Sequence, residues 1–101
     1  MKLLAIEIEV PGVSQELFTD EVLKQEAAIA WKLYQTGMIR ELYFRADREE
    51  AVLVLECIDR AQAEEVISSL PLVQRSLVKF EIIPLVAYPG FERLFTKQLS
   101  K

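Results

Sequence analysis

The sequence predicts an α+β domain of order β-α-β-β-α-β, and three observations predict it. Apolar residues recur at every second position in four separate stretches, as they do along half-buried strands. Two intervening stretches carry their apolar residues at helical spacing instead. Each stretch has its own start or stop signal, so the boundaries do not rest on periodicity alone. The order is that of the ferredoxin-like arrangement, a four-stranded antiparallel sheet with both helices on one face.

Leu4, Ile6, Ile8 and Val10 alternate with Ala5, Glu7 and Glu9, so the first strand is expected to have one apolar and one acidic face, ending at Pro11-Gly12. Thr19-Asp20-Glu21 reads as a helix start, a hydroxyl cap followed by acids in the first turn. That helix is expected to run to Thr36, with Gly37 in the left-handed position beyond its end. From Met38 to Ala46, Leu42, Phe44 and Ala46 alternate with Glu41, Tyr43 and Arg45. Asp47 to Glu50 is a polar turn, and Ala51 to Cys57 is an apolar, β-branched run suited to a central strand. The short gap makes these two strands a hairpin. Asp59 opens the second helix with Gln62 as its capping-box partner. Ala63, Val66, Ile67 and Leu70 form its stripe, and Pro71 is expected to stop it. A fourth strand is expected within Gln74–Val86, its Pro84 marking an edge or an end. Tyr88-Pro89-Gly90 is a turn, followed by a short amphipathic tail carrying Phe91, Leu94, Phe95 and Leu99.

Composition excludes several functions. The 101 residues fit one domain, residues 1–101, with 51% apolar and 28% charged residues. A net charge of −4 without a basic stripe argues against binding nucleic acid through its phosphates. The chain has no His and one Cys, Cys57. This excludes a Cys/His zinc site and a Ser-His-Asp triad, and neither metal nor cofactor is expected. A lone cysteine fits a reducing cytoplasm. Met1–Ala5 starts like a leader, but Glu7 and Glu9 interrupt the apolar run, and no stretch approaches the ~20 apolar residues of a membrane span.

With both helices on one face, the other face of the sheet must be wet or covered. Alternation assigns it Glu7, Glu9, Glu41, Tyr43, Arg45, Glu56, Lys79 and Glu81, with Val52, Val54 and Ile83 among them. So mixed a face suits a homodimer in which two sheets face each other around a partly polar cavity, a dimeric α+β barrel with a C-terminal tail. The competing arrangement folds the tail back on its own domain.

Helix one holds the most informative residue. At 100° per residue, Ile29, Val22, Leu33, Ala30 and Leu23 share one arc, and Glu26 falls inside it. A carboxylate among apolar neighbours loses solvation, and its pKa rises unless a cation reaches it. That is the signature of a general acid or base. The competing reading is a structural ion pair, with Arg40 or Arg45 as partner. The same arginines could instead hold an anionic substrate beside Glu26, with Tyr43 donating to a bound oxyanion.

Glu26 on the first helix with its closing Gly37, Leu70-Pro71-Leu72 after the second, and Pro84-Leu85 followed by Pro89 together resemble the muconolactone isomerases, over nearly the whole chain. The resemblance implies a ferredoxin-like fold, a dimer or larger ring of dimers, and a cofactor-free proton shift within an unsaturated lactone that carries a carboxylate. It places Glu26 at the position of a glutamate those isomerases carry. Where they carry His and Trp around the second strand, this chain reads Ile39-Arg40-Glu41-Leu42-Tyr43-Phe44-Arg45. The expected function is thus a cytoplasmic isomerase or related proton-transfer enzyme on a small anionic metabolite, with Glu26 and Tyr43 catalytic and Arg40 and Arg45 binding substrate. The alternative is a non-catalytic ligand-binding or oligomer-forming module of the same fold.

Overall fold

In the structure, a computed structural model describing residues 1–95, the six expected elements appear in the expected order. The strands are β1 (Lys2–Glu9), β2 (Ile39–Phe44), β3 (Ala51–Glu56) and β4 (Val78–Pro84); the helices are α1 (Asp20–Gln35) and α2 (Arg60–Ser68). The strands form one antiparallel sheet in the order β2-β3-β1-β4, so β1 and β3 are central and the hairpin's β2 is an edge. No helix among the described residues is long and apolar enough to cross a membrane.

The caps follow the sequence logic. The Thr19 hydroxyl accepts the Val22 N–H at 3.2 Å and opens α1. Gly37 closes it at φ +84, a conformation that strains any residue with a Cβ. Asp59 accepts from Gln62 N–H at 2.9 Å, and Gln62 answers by accepting the Ile58 N–H at 2.7 Å. Pro71 does not merely stop α2. It occupies the first turn of a further short helix, α3 (Pro71–Gln74), where its missing N–H is no loss. Ser76, at φ +58, then turns the chain, and β4 begins at Val78, inside the expected Gln74–Val86 stretch.

The register corrects the expected facing of β1. Leu3 pairs with Leu55 and Ala5 with Leu53, and all four are buried against the helices. Glu7, opposite Phe80, therefore points to the helix side, with Glu9 opposite Val78. Leu4, Ile6 and Ile8 oppose Ile83, Glu81 and Lys79 on the open face. The cause is visible in the sequence. Residues 3–6 are apolar on both sides of the strand, so alternation alone cannot tell inside from outside; the buried set of β3 decides it. The open face is consequently more apolar than the alternation implied, carrying Leu4, Ile6 and Ile8 in place of Glu7 and Glu9 beside the expected Val52, Val54 and Ile83.

The main core lies between the sheet and the helices and includes Leu3, Ile39, Leu53, Leu55, Ile67 and Leu70. Cys57 is buried within it, and burial pushes its thiol up, toward the unreactive protonated form. A smaller cluster of Val22, Leu72, Leu77 and Val78 closes the end near the start of α1, with Val13 and Phe18 packed on it. After β4 the chain forms a 3-10 helix at Pro89–Leu94, which takes in part of the expected turn and the start of the short amphipathic tail. Its side chains do not fold back onto the domain: Phe91, Leu94 and Phe95 are all at least 66% exposed. Leu99 lies outside the described residues.

Candidate functional site

The site is built around a gap between two parts of the fold. Beneath the N-terminal half of α1, the small cluster and the β2–β3 turn stand apart and leave a cleft of about 550 Å³. Phe18, Leu23, Phe44, Leu72, Leu77 and Val78 contribute its apolar lining. Its charged lining is Glu7 and Glu9 from β1 and Arg48, Glu49 and Glu50 from the turn.

Glu26 is half-buried on α1 and is tied to this cleft through Leu72, which lines it. Its Oε1 accepts the Leu72 N–H at 2.9 Å. That contact has a local reason. Helix α3 starts with Leu70, which supplies no side-chain cap, and Pro71, which has no N–H. Leu72 is thus the first amide needing an acceptor, and Glu26 reaches over from α1 to provide one. Desolvation holds the Glu26 carboxyl above the usual carboxylate range, and the Leu72 N–H offsets only part of that.

Neither expected arginine meets Glu26. The Arg45 guanidinium is held by Asp47 through two hydrogen bonds of 2.9 and 2.7 Å and lies 3.6 Å from Glu50, so it serves the hairpin turn. Arg40 donates Nε–H to the Gly37 carbonyl at 2.8 Å, clasping the turn after α1. Arg40 and Tyr43 come together elsewhere, in an open groove of about 490 Å³ between α1 and β2. Trp31 and Tyr34 line that groove, their rings stacked 5.8 Å apart. Tyr43 donates its hydroxyl to Glu41 at 2.7 Å, an interaction that makes the phenol harder to deprotonate. The four residues expected to share one site are therefore divided: Glu26 holds the Leu72 amide behind the inner cleft, Arg40 and Tyr43 line the outer groove, and Arg45 serves the turn.

Glu7 is the site residue that sequence reasoning misplaced. Its half-buried carboxylate accepts the Ala51 N–H at 3.0 Å and lines the cleft directly. Burial raises its pKa, the Ala51 N–H opposes this, and the charges of Glu50 and Glu26 raise it further. The period-two pattern drew it to the wet face; only the pairing of β1 with β3 reveals it.

The chain matches the family model for muconolactone delta-isomerase over residues 3–90. It belongs to the muconolactone delta-isomerase family. The fold agrees. A crystal structure of muconolactone isomerase at 3.3 Å resolution superposes with a TM-score of 0.69, covering 89% of this chain and 93% of that one. The two sequences are 17% identical, so this likeness speaks for the fold alone. No curated protein sequence matches the chain.

Proposed function

We propose that the chain is an isomerase that moves a proton within a small unsaturated or lactone-type metabolite, bound in the cleft lined by Leu72, the partner of Glu26. The observation that carries this reading is a partly desolvated carboxylate with no cation pairing it among the described residues, hydrogen-bonded to the Leu72 that lines a cleft large enough for such a ligand. A carboxyl held above its usual range takes up and returns a proton more readily than an exposed one. Family membership supports the reaction class. If the substrate is anionic, its charge falls to Arg48, the cation that lines this cleft, rather than to Arg40 or Arg45, which are engaged elsewhere. Arg48 is itself only loosely held, its Nε 3.5 Å from Glu50.

The reading includes a homodimer. The open sheet face carries six aliphatic side chains and the tail exposes Phe91, Leu94 and Phe95, surfaces that a second copy would cover. Analytical ultracentrifugation of the wild type is expected to show a dimer, and Val54→Glu a monomer. A monomeric wild type removes this part of the proposal.

A second reading, a non-catalytic module of the same fold, draws on the Leu72 contact, which gives Glu26 a structural task. The two separate in heavy water. A panel of β,γ-unsaturated lactones, free acids and methyl esters, is incubated with protein and followed by NMR. Double-bond migration with deuterium entering the new C–H position, abolished in Glu26→Gln, is the isomerase outcome. No migration with any of the panel, or an unaltered rate in Glu26→Gln, favours the module.

A further inference from the structure

Two aromatic surfaces stand open on the same chain. Seven of its nine aromatic side chains are half exposed or more, and they fall into two sets. Trp31, Tyr34 and Tyr43 line the outer groove between α1 and β2, with Phe44 next along the strand. Tyr88, Phe91 and Phe95 belong to the tail, where Tyr88 and Phe91 meet edge to face at 5.0 Å. Residues three apart share one face of a 3-10 helix, so Leu94 continues the stripe that Phe91 begins. Exposed apolar patches with polar rims mark surfaces that another surface covers. The charges of the two sets complement each other: Glu92 and Arg93 on the tail, Arg40 and Glu41 in the groove. Arg40 stands outside the ladder, where the register shifts between Ile39 and Glu41, and it gives only its Nε–H to the Gly37 carbonyl. None of these four forms a salt bridge among the described residues.

The sheet register decides whose tail meets which groove. Pro84 pairs with Leu3, Leu3 with Leu55, and Leu55 with Ile39, so the tail leaves β4 level with the start of β2. Yet β4 and β2 are opposite edges of the sheet, three strand spacings or about 14 Å apart. A twofold axis running along the strands, between two facing open sheet faces, exchanges left and right edges and keeps the strand ends level. It sets the β4 of a second copy over this β2, and the tail that follows beside Arg40. A twofold running across the strands stacks β4 on β4 and takes the tail away from the groove. Because β2 is an edge, a segment passes round it without breaking the ladder. The groove opens to that side: Glu41 and Tyr43, opposite Val54 and Val52, line it in front, and Leu42 and α1 line it behind.

We infer that residues 88–95 of a second copy dock in the groove between α1 and β2, in a reciprocal exchange across this twofold. Phe91 and Leu94 pack against Trp31 and Tyr34 over the small side chains of Ala27 and Ala30, Glu92 faces Arg40, and Arg93 faces Glu41. The exchange deepens the homodimer reading above and rests on it.

Trp31 is the chain's one tryptophan, so its fluorescence reports what covers the groove. In the wild-type dimer its emission is expected at shorter wavelength than in dimers of Phe91→Ser/Leu94→Ser/Phe95→Ser, with acrylamide quenching several-fold weaker. Mixing tells exchange from a tail folded onto its own body. A Trp31→Phe chain with an intact tail is refolded together with the tail variant, and mixed dimers are verified by native mass spectrometry. The tryptophan then belongs to the copy whose own tail is disabled. Protection returning to it is the expected result, and no return overturns the exchange. The wild type alone, diluted until sedimentation shows monomers, is expected to lose its protection, which needs no variant to fold. Equal quenching in wild-type and tail-variant dimers overturns the docking and leaves the homodimer standing. A wild type that is monomeric at every concentration removes both.

Discussion

Replacing Glu26 by alanine should destabilise the fold, and replacing it by glutamine should not. The alanine leaves the Leu72 N–H without its acceptor at the start of α3, where Leu70 offers no cap and Pro71 no amide. Losing a helix-terminal acceptor costs about 1–2 kcal/mol, in line with both helix caps and partly buried unsatisfied donors. For a domain near 100 residues, each kcal/mol lowers the melting temperature by roughly 4–8 °C, so a fall of about 4–16 °C is expected. Alanine is also the better helix former by a few tenths of a kcal/mol, which works against the loss and makes the comparison conservative. Glutamine keeps an oxygen for Leu72 and removes a desolvated charge, so its melting temperature should stay near that of the wild type or rise. Thermal unfolding followed by circular dichroism at pH 7 decides between them. If the two variants melt together, the Leu72 contact carries no stability and the structural account of Glu26 is wrong.

Other outcomes follow from the same contacts. Burial holds the Glu7 and Glu26 carboxyls above the ordinary glutamate value of 4.5 in the folded chain, so the native state binds protons more tightly than the unfolded chain. Unfolding free energy should therefore fall as pH rises from 4.5 through their folded midpoints and then level off. Urea unfolding across that range should show the fall in the wild type and a flatter profile in the Glu7→Gln/Glu26→Gln double variant. Asp47, held low by Arg45, loses its contribution only at pH values below this window. Gly37→Ala forces a Cβ into φ +84 and should cost about 1–2 kcal/mol in urea unfolding. Leu53→Ala, at the centre of the main core, should cost about 2–5 kcal/mol in the same assay.

The fold was legible because its signals are local. Thr19, Gly37 and Asp59 cap their helices through contacts within a few residues, and the run at 51–57 is apolar enough to name a central strand. Glu26 was legible for a similar reason: a helix's inner face can be read from spacing within one element. What spacing could not supply was anything set by pairing between distant segments. Glu7 depends on the β1–β3 register, which four consecutive apolar residues leave open. The partner of Glu26 is a backbone amide 46 residues away, invisible to a search for complementary charges. Arg45 and Arg40 were drawn toward Glu26 by closeness in sequence, yet each is taken by a nearer acceptor, Asp47 or the Gly37 carbonyl. Pro71 shows the same limit. It opens α3 after a Leu70 that supplies no cap, and the acceptor for the next amide comes from Glu26, far away in sequence.

The account depends most on Glu26 being kept partly out of water without a countercharge. Its side-chain carboxyl carbon, followed by ¹³C NMR across the acid range in the wild-type chain, reports this directly. A midpoint above 4.5 agrees with a proton that can come and go at the cleft, and a midpoint at or below that value contradicts it.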